Sequence, residues 1–284
     1  MFARNDPHHA RDVKQIVFSD LDGTLIDPDT YSCDAAMPAV QALRERDVPL
    51  VLCSSKTRPE MEWWRARIGN NHPFIVENGG AIYMPRGYFP FLPASAKTRG
   101  DYDIIEFGAP YRKVVDELRI ASEETACPVI GFDQMSVADI CLRTSLSVRH
   151  AELAKQREYD EPFEILGANG NELLAAIDRR GRRWFRGSRL HHITSGHSKA
   201  TAVRCLALLF ARAHRRVTTI GIGDSDSDVD FLKATDEPII VWSRFAVGLA
   251  KLIPNASITR WPGPEGWKEA IEETIAEPAL AGSF

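Results

Sequence analysis

The chain has 284 residues, 44% of them hydrophobic, and a formal net charge of −4. That gives room for one large or, better, two globular domains, and neither a nucleic-acid surface nor an acidic membrane is implied as a partner, so none is expected. The five cysteines, Cys33, Cys53, Cys127, Cys141 and Cys205, are odd in number and lack metal-ligand spacing, so no disulfide framework or zinc site is expected and a reducing cytoplasm suits the chain.

Residues 1–15 read as a polar lead-in without the apolar centre of a signal peptide, and no apolar run is long enough to span a bilayer. Residues 16–27, IVFSDLDGTLID, then run from a buried-strand pattern into two acids, Asp20 and Asp22. Residues two apart on an extended chain share a face, so both carboxylates can look into the crevice that forms at the carboxyl end of a parallel strand. One acid can attack while the other shuttles a proton, and a hard cation such as magnesium would offset their joint burial. An Asp-Gly hairpin turn carries the same residues without chemistry, and this stretch alone leaves both readings open. Asp34 is placed to cap a helix over 35–46 with Ala36, Val40 and Leu43 on its inner face, and 49–53 makes a second strand. Ser54, Ser55, Lys56 and Thr57 follow, either as phosphate contacts or as the cap of a helix starting near Pro59. A third strand at 74–76 ends in Glu77-Asn78-Gly79-Gly80, a close backbone approach or a tight turn into 81–83.

From residue 87 to 189 the order becomes strand, helix, strand, helices, strand, helix and hairpin, which reads as an inserted second domain. Its first helix covers 111–126 with Val114, Val115 and Leu118 inward, and Ser136 with Asp139 forms a capping-box pattern. Lys155, Gln156, Arg157 and Glu158 make a dense polar set that suits a hydroxylated anionic substrate or a solvated helix end. Strands at 183–185 and 190–194 would pair through Gly187-Ser188. Of the local arginine cluster, Arg179, Arg180, Arg182, Arg183 and Arg186, Arg186 is the best placed for an anion. His191 and His192 read as structural.

The first domain resumes with Ser198 starting a helix that carries Ala202, Cys205, Leu206 and Leu209 inward. Lys199 falls in its first turn, where a cation costs up to ~1 kcal/mol, so an anion is expected beside it. A strand at 217–222 then ends in GDSDSD, where Asp224 and Asp228 can hold a cation and its water shell; the terminal Glu of a twelve-residue calcium loop is lacking. A strand at 238–242 and an amphipathic helix at 266–275 complete the alternation of an α/β parallel-sheet core with helices on both faces.

Four polar stations thus stand at strand ends or helix starts: Asp20 with Asp22, Ser54, Lys199, and Asp224 with Asp228. Through DLDGT, the serine after LVLC, the lysine of SKATAV and GDSDSD, the chain resembles the haloacid dehalogenase-like phosphohydrolases. The resemblance implies a Rossmannoid core (16–86 and 190–284), an α+β cap inserted at 87–189, and magnesium held by Asp20, Asp22, Asp224 and Asp228. It makes Asp20 the nucleophile, Asp22 the general acid and base, and Ser54 and Lys199 phosphate binders, with Ser55 leaving the second station open by one position. A narrower resemblance, in SSKTR (54–58), PFIVENGGAIY (73–83), LAKQREYDEPF (153–163) and GPEGW (263–267), is to the mannosyl-3-phosphoglycerate phosphatase family. It implies hydrolysis of a small phosphorylated glycosylglycerate to a compatible solute. Lys155, Gln156, Arg157 and Glu158 would read the substrate, with Ser55, Lys56, Asn78, Gly79 and Arg186 completing the binding set. A broader sugar phosphatase, a phosphosugar mutase, a dehalogenase and a non-catalytic sugar-phosphate binding module are the competing functions. Spacing sets neither mannose against glucose nor the oligomeric state, and His197 and the arginine cluster match no family role.

Overall fold

The computed structural model describes residues 13–187, 189–214 and 216–275, so the polar lead-in before Val13 and Ser188 of the hairpin turn lie outside the described residues. The chain runs β1 (Val13–Ser19), α1 (Met37–Glu45), β2 (Leu50–Cys53), α2 (Arg58–Ile68), β3 (Phe74–Val76), β4 (Ala81–Pro85), β5 (Lys97–Arg99) and β6 (Tyr102–Glu106). It continues through α3 (Tyr111–Thr125), β7 (Val129–Gly131), α4 (Val137–Thr144), α5 (Val148–Ala154), β8 (Asp160–Ile165), α6 (Gly170–Arg179), β9 (Arg183–Arg186) and β10 (His191–Thr194). The last third is α7 (Lys199–Ala213), β11 (Arg216–Gly223), α8 (Val229–Leu232), β12 (Glu237–Ile240), α9 (Ala246–Leu252), β13 (Ser257–Ile258) and α10 (Gly263–Ile275).

The larger sheet has the order β13-β12-β11-β1-β2-β3-β4-β6-β5, parallel from β13 to β3 and antiparallel beyond. Strand β1 explains why the chain reads as continuously apolar there. Val17 faces a cluster with α1, α2 and α10, through Leu43, Trp64 and Trp267, while Ile16 and Phe18 face α7 and α8 through Val203, Leu206 and Phe231. Both faces are dry, so both alternating sets must be apolar. Because β1 lies between β2 and β11, the order reverses direction at β1, and the crevice at such a switch point opens at the carboxyl ends of the strands.

A smaller antiparallel sheet, β7-β8-β10-β9, carries α3 and α6 on one face over Phe163 and Ile193, and α4 and α5 enclose a second apolar cluster with Phe132 and Met135. The sheets do not change over where the sequence pattern shifts. β6 hydrogen-bonds onto β4 and β5 onto β6 in the larger sheet, and β10 pairs with β8 in the smaller one, so the changeovers follow Glu106 and Thr194 instead of Gly87 and Arg189. A meander needs only short turns to stay in its sheet, and an apolar pattern shows that a strand exists without showing which edge it joins.

Local details differ in the same spirit. The helix expected over 35–46 begins as a 3-10 turn at Asp34–Ala36, and Asp34 makes no capping hydrogen bond. In α3, Val114 and Leu118 are buried as expected, with Ala121 as the third buried residue in place of half-buried Val115. The helix near Pro59 does start on a complete capping box between Thr57 and Glu60, and Ser136 with Asp139 forms another.

Candidate active site

Asp20 sits just past β1 and its N–H donates to the Ile222 carbonyl of β11 at 2.9 Å, which fixes it at the switch point. Lys199 opens α7, whose Ser198 hydroxyl caps the helix by accepting from the Thr201 N–H. Its Nζ lies 2.6 Å from Asp20 Oδ1 and 2.8 Å from Asp228 Oδ1, with all three side chains buried. The anion expected beside this first-turn cation is therefore a pair of the chain's own carboxylates. Against the lowering effect of burial, Asp20 and Asp228 hold the Lys199 ammonium well above its ordinary range.

The turn after β11 is shaped around Asp228, whose Oδ2 accepts from the N–H groups of Asp224 and Ser225 at 3.2 and 3.1 Å and from Ser225 Oγ at 2.9 Å. Asp224 accepts from Thr24 Oγ1 at 2.9 Å. Gly23, at φ +84°, is what admits it: a Cβ there would stand 2.6 Å from Asp224 Oδ2. Carboxylate oxygens of Asp20, Asp224 and Asp228 all lie within 4.8 Å of one another. Burial pushes Asp20 up to about 7, with Lys199 opposing and Asp228 and Asp22 adding, and burial with Asp228 and Asp20 drives Asp224 well above its usual range. Three carboxylates against one ammonium leave uncompensated negative charge in an all-oxygen donor set, which fits a hard divalent cation.

Asp22 stands apart from that cluster, its Oδ1 2.8 Å from Lys56 Nζ. Lys56 is buried, and Asp22 with Glu60 outweighs burial to raise its ammonium above the ordinary range. Ser54 is buried at the end of β2, its Oγ accepting from the Lys56 N–H at 3.3 Å, while Ser55 is half-buried. Gly79, at φ +93°, lies so close to the start of α7 that a Cβ would meet the Ser198 carbonyl at 2.1 Å. The two glycine-bearing loops therefore let Asp224 and Lys199 close on the crevice.

The candidate residues of the insertion are engaged differently. Lys155 Nζ, at the end of α5, donates to the Phe132 carbonyl at 2.8 Å and also to that of Met135, fastening the turn after β7. Gln156 Nε2 donates to the Glu152 carbonyl of its own helix end at 3.3 Å. Glu158 accepts from Tyr83 Oη at 2.5 Å and Arg58 Nε at 3.2 Å, both from the larger sheet's side. Arg157 is buried among Glu77, Asp160 and the Ser55 carbonyl. Arg186 is exposed beside His191. The other arginines of the cluster face acids: Arg179 meets Glu124, Arg180 and Arg182 meet Glu117, and Arg183 meets Asp230 on α8. His192 Nδ1 contacts Asp160 at 2.9 Å. His197 bridges Ser195 Oγ and the Glu77 carbonyl. Glu77, Asp160 and Thr24 join the site through partners distant in the chain, which no local sequence signal marks. The Trp267 indole N–H donates to Ser19 Oγ at 2.8 Å, directly behind Asp20, so GPEGW marks a support of β1.

Residues 17–89 match the family of haloacid dehalogenase-like hydrolases. A glucosyl-3-phosphoglycerate/mannosyl-3-phosphoglycerate phosphatase of Methanococcoides burtonii is 37% identical over 272 residues, spanning 93% of this chain and 98% of the relative. The chain belongs to the mannosyl-3-phosphoglycerate phosphatase family. Within the family, the mannosyl-3-phosphoglycerate phosphatase of Pyrococcus furiosus is 32% identical over 80% of this chain and 90% of its own length. Solved structures share the fold at lower identity. A subclass IIB sugar phosphatase superposes with TM-score 0.64 at 14% identity, covering 92% of this chain and 99% of its own. The sucrose-phosphatase of Synechocystis gives 0.60 at 13%, covering 92% and 98%. Among the described residues no helix is long and apolar enough to cross a membrane.

Proposed function

We propose that the chain is a magnesium-dependent phosphatase that releases phosphate from glucosyl- or mannosyl-3-phosphoglycerate, with the smaller sheet and its helices acting as a substrate-reading cap. The observation that carries this reading is Lys199 bridging Asp20 and Asp228 at a strand end, in a chain collinear with the Methanococcoides phosphatase over nearly its whole length. Asp20 would attack phosphorus in line, forming an acyl phosphate while the bond from phosphorus to the glycerate oxygen breaks. Asp22 supplies the proton to that leaving oxygen, then takes one from the water that hydrolyses the aspartyl-phosphate and restores Asp20. Lys199 and the Ser54 hydroxyl stabilise charge on the equatorial oxygens, the main requirement of phosphoryl transfer. Asp20, Asp224 and Asp228 would hold the cation, which when bound neutralises phosphate charge. The substrate is a small molecule; no nucleic-acid or membrane partner enters this reading.

The test is phosphate release with magnesium from both glycosyl-3-phosphoglycerates beside a panel of simple sugar phosphates. Clear preference for either glycosyl-3-phosphoglycerate supports the reading and assigns the sugar. Equal or better turnover of simple sugar phosphates refutes the substrate while leaving the phosphatase chemistry in place.

A further inference from the structure

Residues 77 and 78 are consecutive non-glycine residues in the left-handed region, at φ +46° and +58°. Such conformations are unfavourable for residues with a side chain and persist only where surrounding bonds enforce them. Here the bonds point two ways. Toward the core, the Glu77 N–H donates to the Lys56 carbonyl and the Asn78 N–H to the Ser54 carbonyl, each at 3.0 Å. Toward the insertion, the buried Glu77 carboxylate accepts three successive N–H groups, of Glu158, Tyr159 and Asp160, at 2.8, 2.8 and 2.9 Å. Asn78 Nδ2 donates to Asp160 Oδ2 at 2.6 Å.

Arg157 closes the circuit. Its Nε donates to the Asp160 carbonyl at 2.5 Å and lies 3.6 Å from Glu77 Oε2, and its Nη2 donates to the Ser55 carbonyl at 3.1 Å. The carbonyls of Ser54, Ser55 and Lys56 are thus all held by one cluster, half of which belongs to the insertion. That loop presents the Ser54 hydroxyl and the Lys56 ammonium, and Lys56 in turn holds Asp22. The fit also has no slack: a Cβ on Gly80 or Gly108 would each come within 2.6 Å of the Tyr159 side chain.

The geometry points to Glu77 and Arg157 as positioning residues that make the alignment of the Ser54–Lys56 loop depend on the seating of segment 157–160 against the core. Arg157 is buried, and its Nε and Nη2 are spent on the Asp160 and Ser55 carbonyls and on the Glu77 and Asp160 carboxylates; it acts through the loop. Docking of the insertion and assembly of the phosphate-binding loop are then one event. A misplacement of about 1 Å in such a loop costs on the order of 100-fold in rate. The inference rests on the phosphatase reading, though not on its natural substrate.

The test compares wild type, Arg157→Met, Glu77→Gln and the double variant on glucosyl-3-phosphoglycerate and on p-nitrophenyl phosphate, whose small leaving group makes no use of a sugar-reading cap. The single variants are expected to lose roughly 10- to 100-fold in kcat on both substrates, with KM within about threefold. The double variant removes Arg157 and Glu77 together, leaving Asp160 with His192, and is expected to recover part of the melting temperature lost by Arg157→Met without recovering kcat. A rise in KM confined to glucosyl-3-phosphoglycerate would make Arg157 a substrate reader and overturn the inference. So would a kcat that returns with the melting temperature, since the effect would then be structural. Should Arg157→Met fail to fold, the double variant alone decides between these outcomes. If wild type hydrolyses p-nitrophenyl phosphate but no glycosyl-3-phosphoglycerate, the proposed substrate fails while the aryl-phosphate arm still tests the positioning role.

Discussion

At the scale of single residues, the site is a balance of buried charge. Asp20→Asn removes the attacking oxyanion but keeps size and hydrogen-bonding shape, so phosphate release should vanish while the melting temperature stays at or above that of wild type, because a carboxylate costly to ionise has been replaced. Retained turnover would remove Asp20 from the nucleophile role. Asp22→Asn should slow hydrolysis most for poor leaving groups and least for aryl phosphates, since only the former need a proton delivered. A leaving-group-independent loss would refute that assignment. Trp267→Phe deletes the donor to Ser19 at the end of β1; a loss of about 1 kcal/mol in urea unfolding is expected, with a smaller kcat and little change in KM.

At the scale of elements, caps and turns decide what each loop can hold. The Thr57 hydroxyl both closes the capping box of α2 and meets the Leu153 carbonyl of α5 at 2.9 Å, so Thr57→Ala should cost ~1 kcal/mol of stability or somewhat more. His72, in the turn before β3, is pushed from an ordinary 6.5 down to about 4, chiefly by burial, and contacts Tyr88 Oη at 2.8 Å. The unfolded chain takes up a proton there that the folded chain refuses, so stability is full above the ordinary value and drains as pH falls toward the depressed one. The slope is at most about 1.4 kcal/mol per pH unit, reduced by partial exposure. Urea midpoints between pH 7 and 5 should fall less for His72→Gln than for wild type. These elements were legible in the sequence to the extent that their signals are local. The strand ends carrying Asp20, Ser54 and Asp224, and the Ser198 start of α7, follow from apolar runs and caps. The sheet membership of β6 was not legible, nor was the burial of Arg157, because both are set by residues distant in the chain. A polar string such as Lys155 to Glu158 looks alike whether it faces solvent, a sugar or a buried carboxylate.

At the scale of the whole molecule, the larger sheet brings four separate segments to one crevice, and the insertion is fastened to it by Glu77, Glu158 and the Arg183 pair with Asp230. Chelation of divalent ions should end phosphate release and magnesium should restore it; the melting temperature should rise with added magnesium, since an ion bound only by the folded carboxylates stabilises that state. An unchanged melting temperature across a magnesium titration would mean that the three carboxylates do not hold the ion. The support of β1 has a further consequence for synthesis. β1 pairs along its whole length with β11, and its exit is buttressed by the indole of α10, so synthesis must pass residue 267 before residue 20 acquires its surroundings. A chain stopped short of α10 carries Asp20 without the enclosure around it, and such products are expected to release no phosphate.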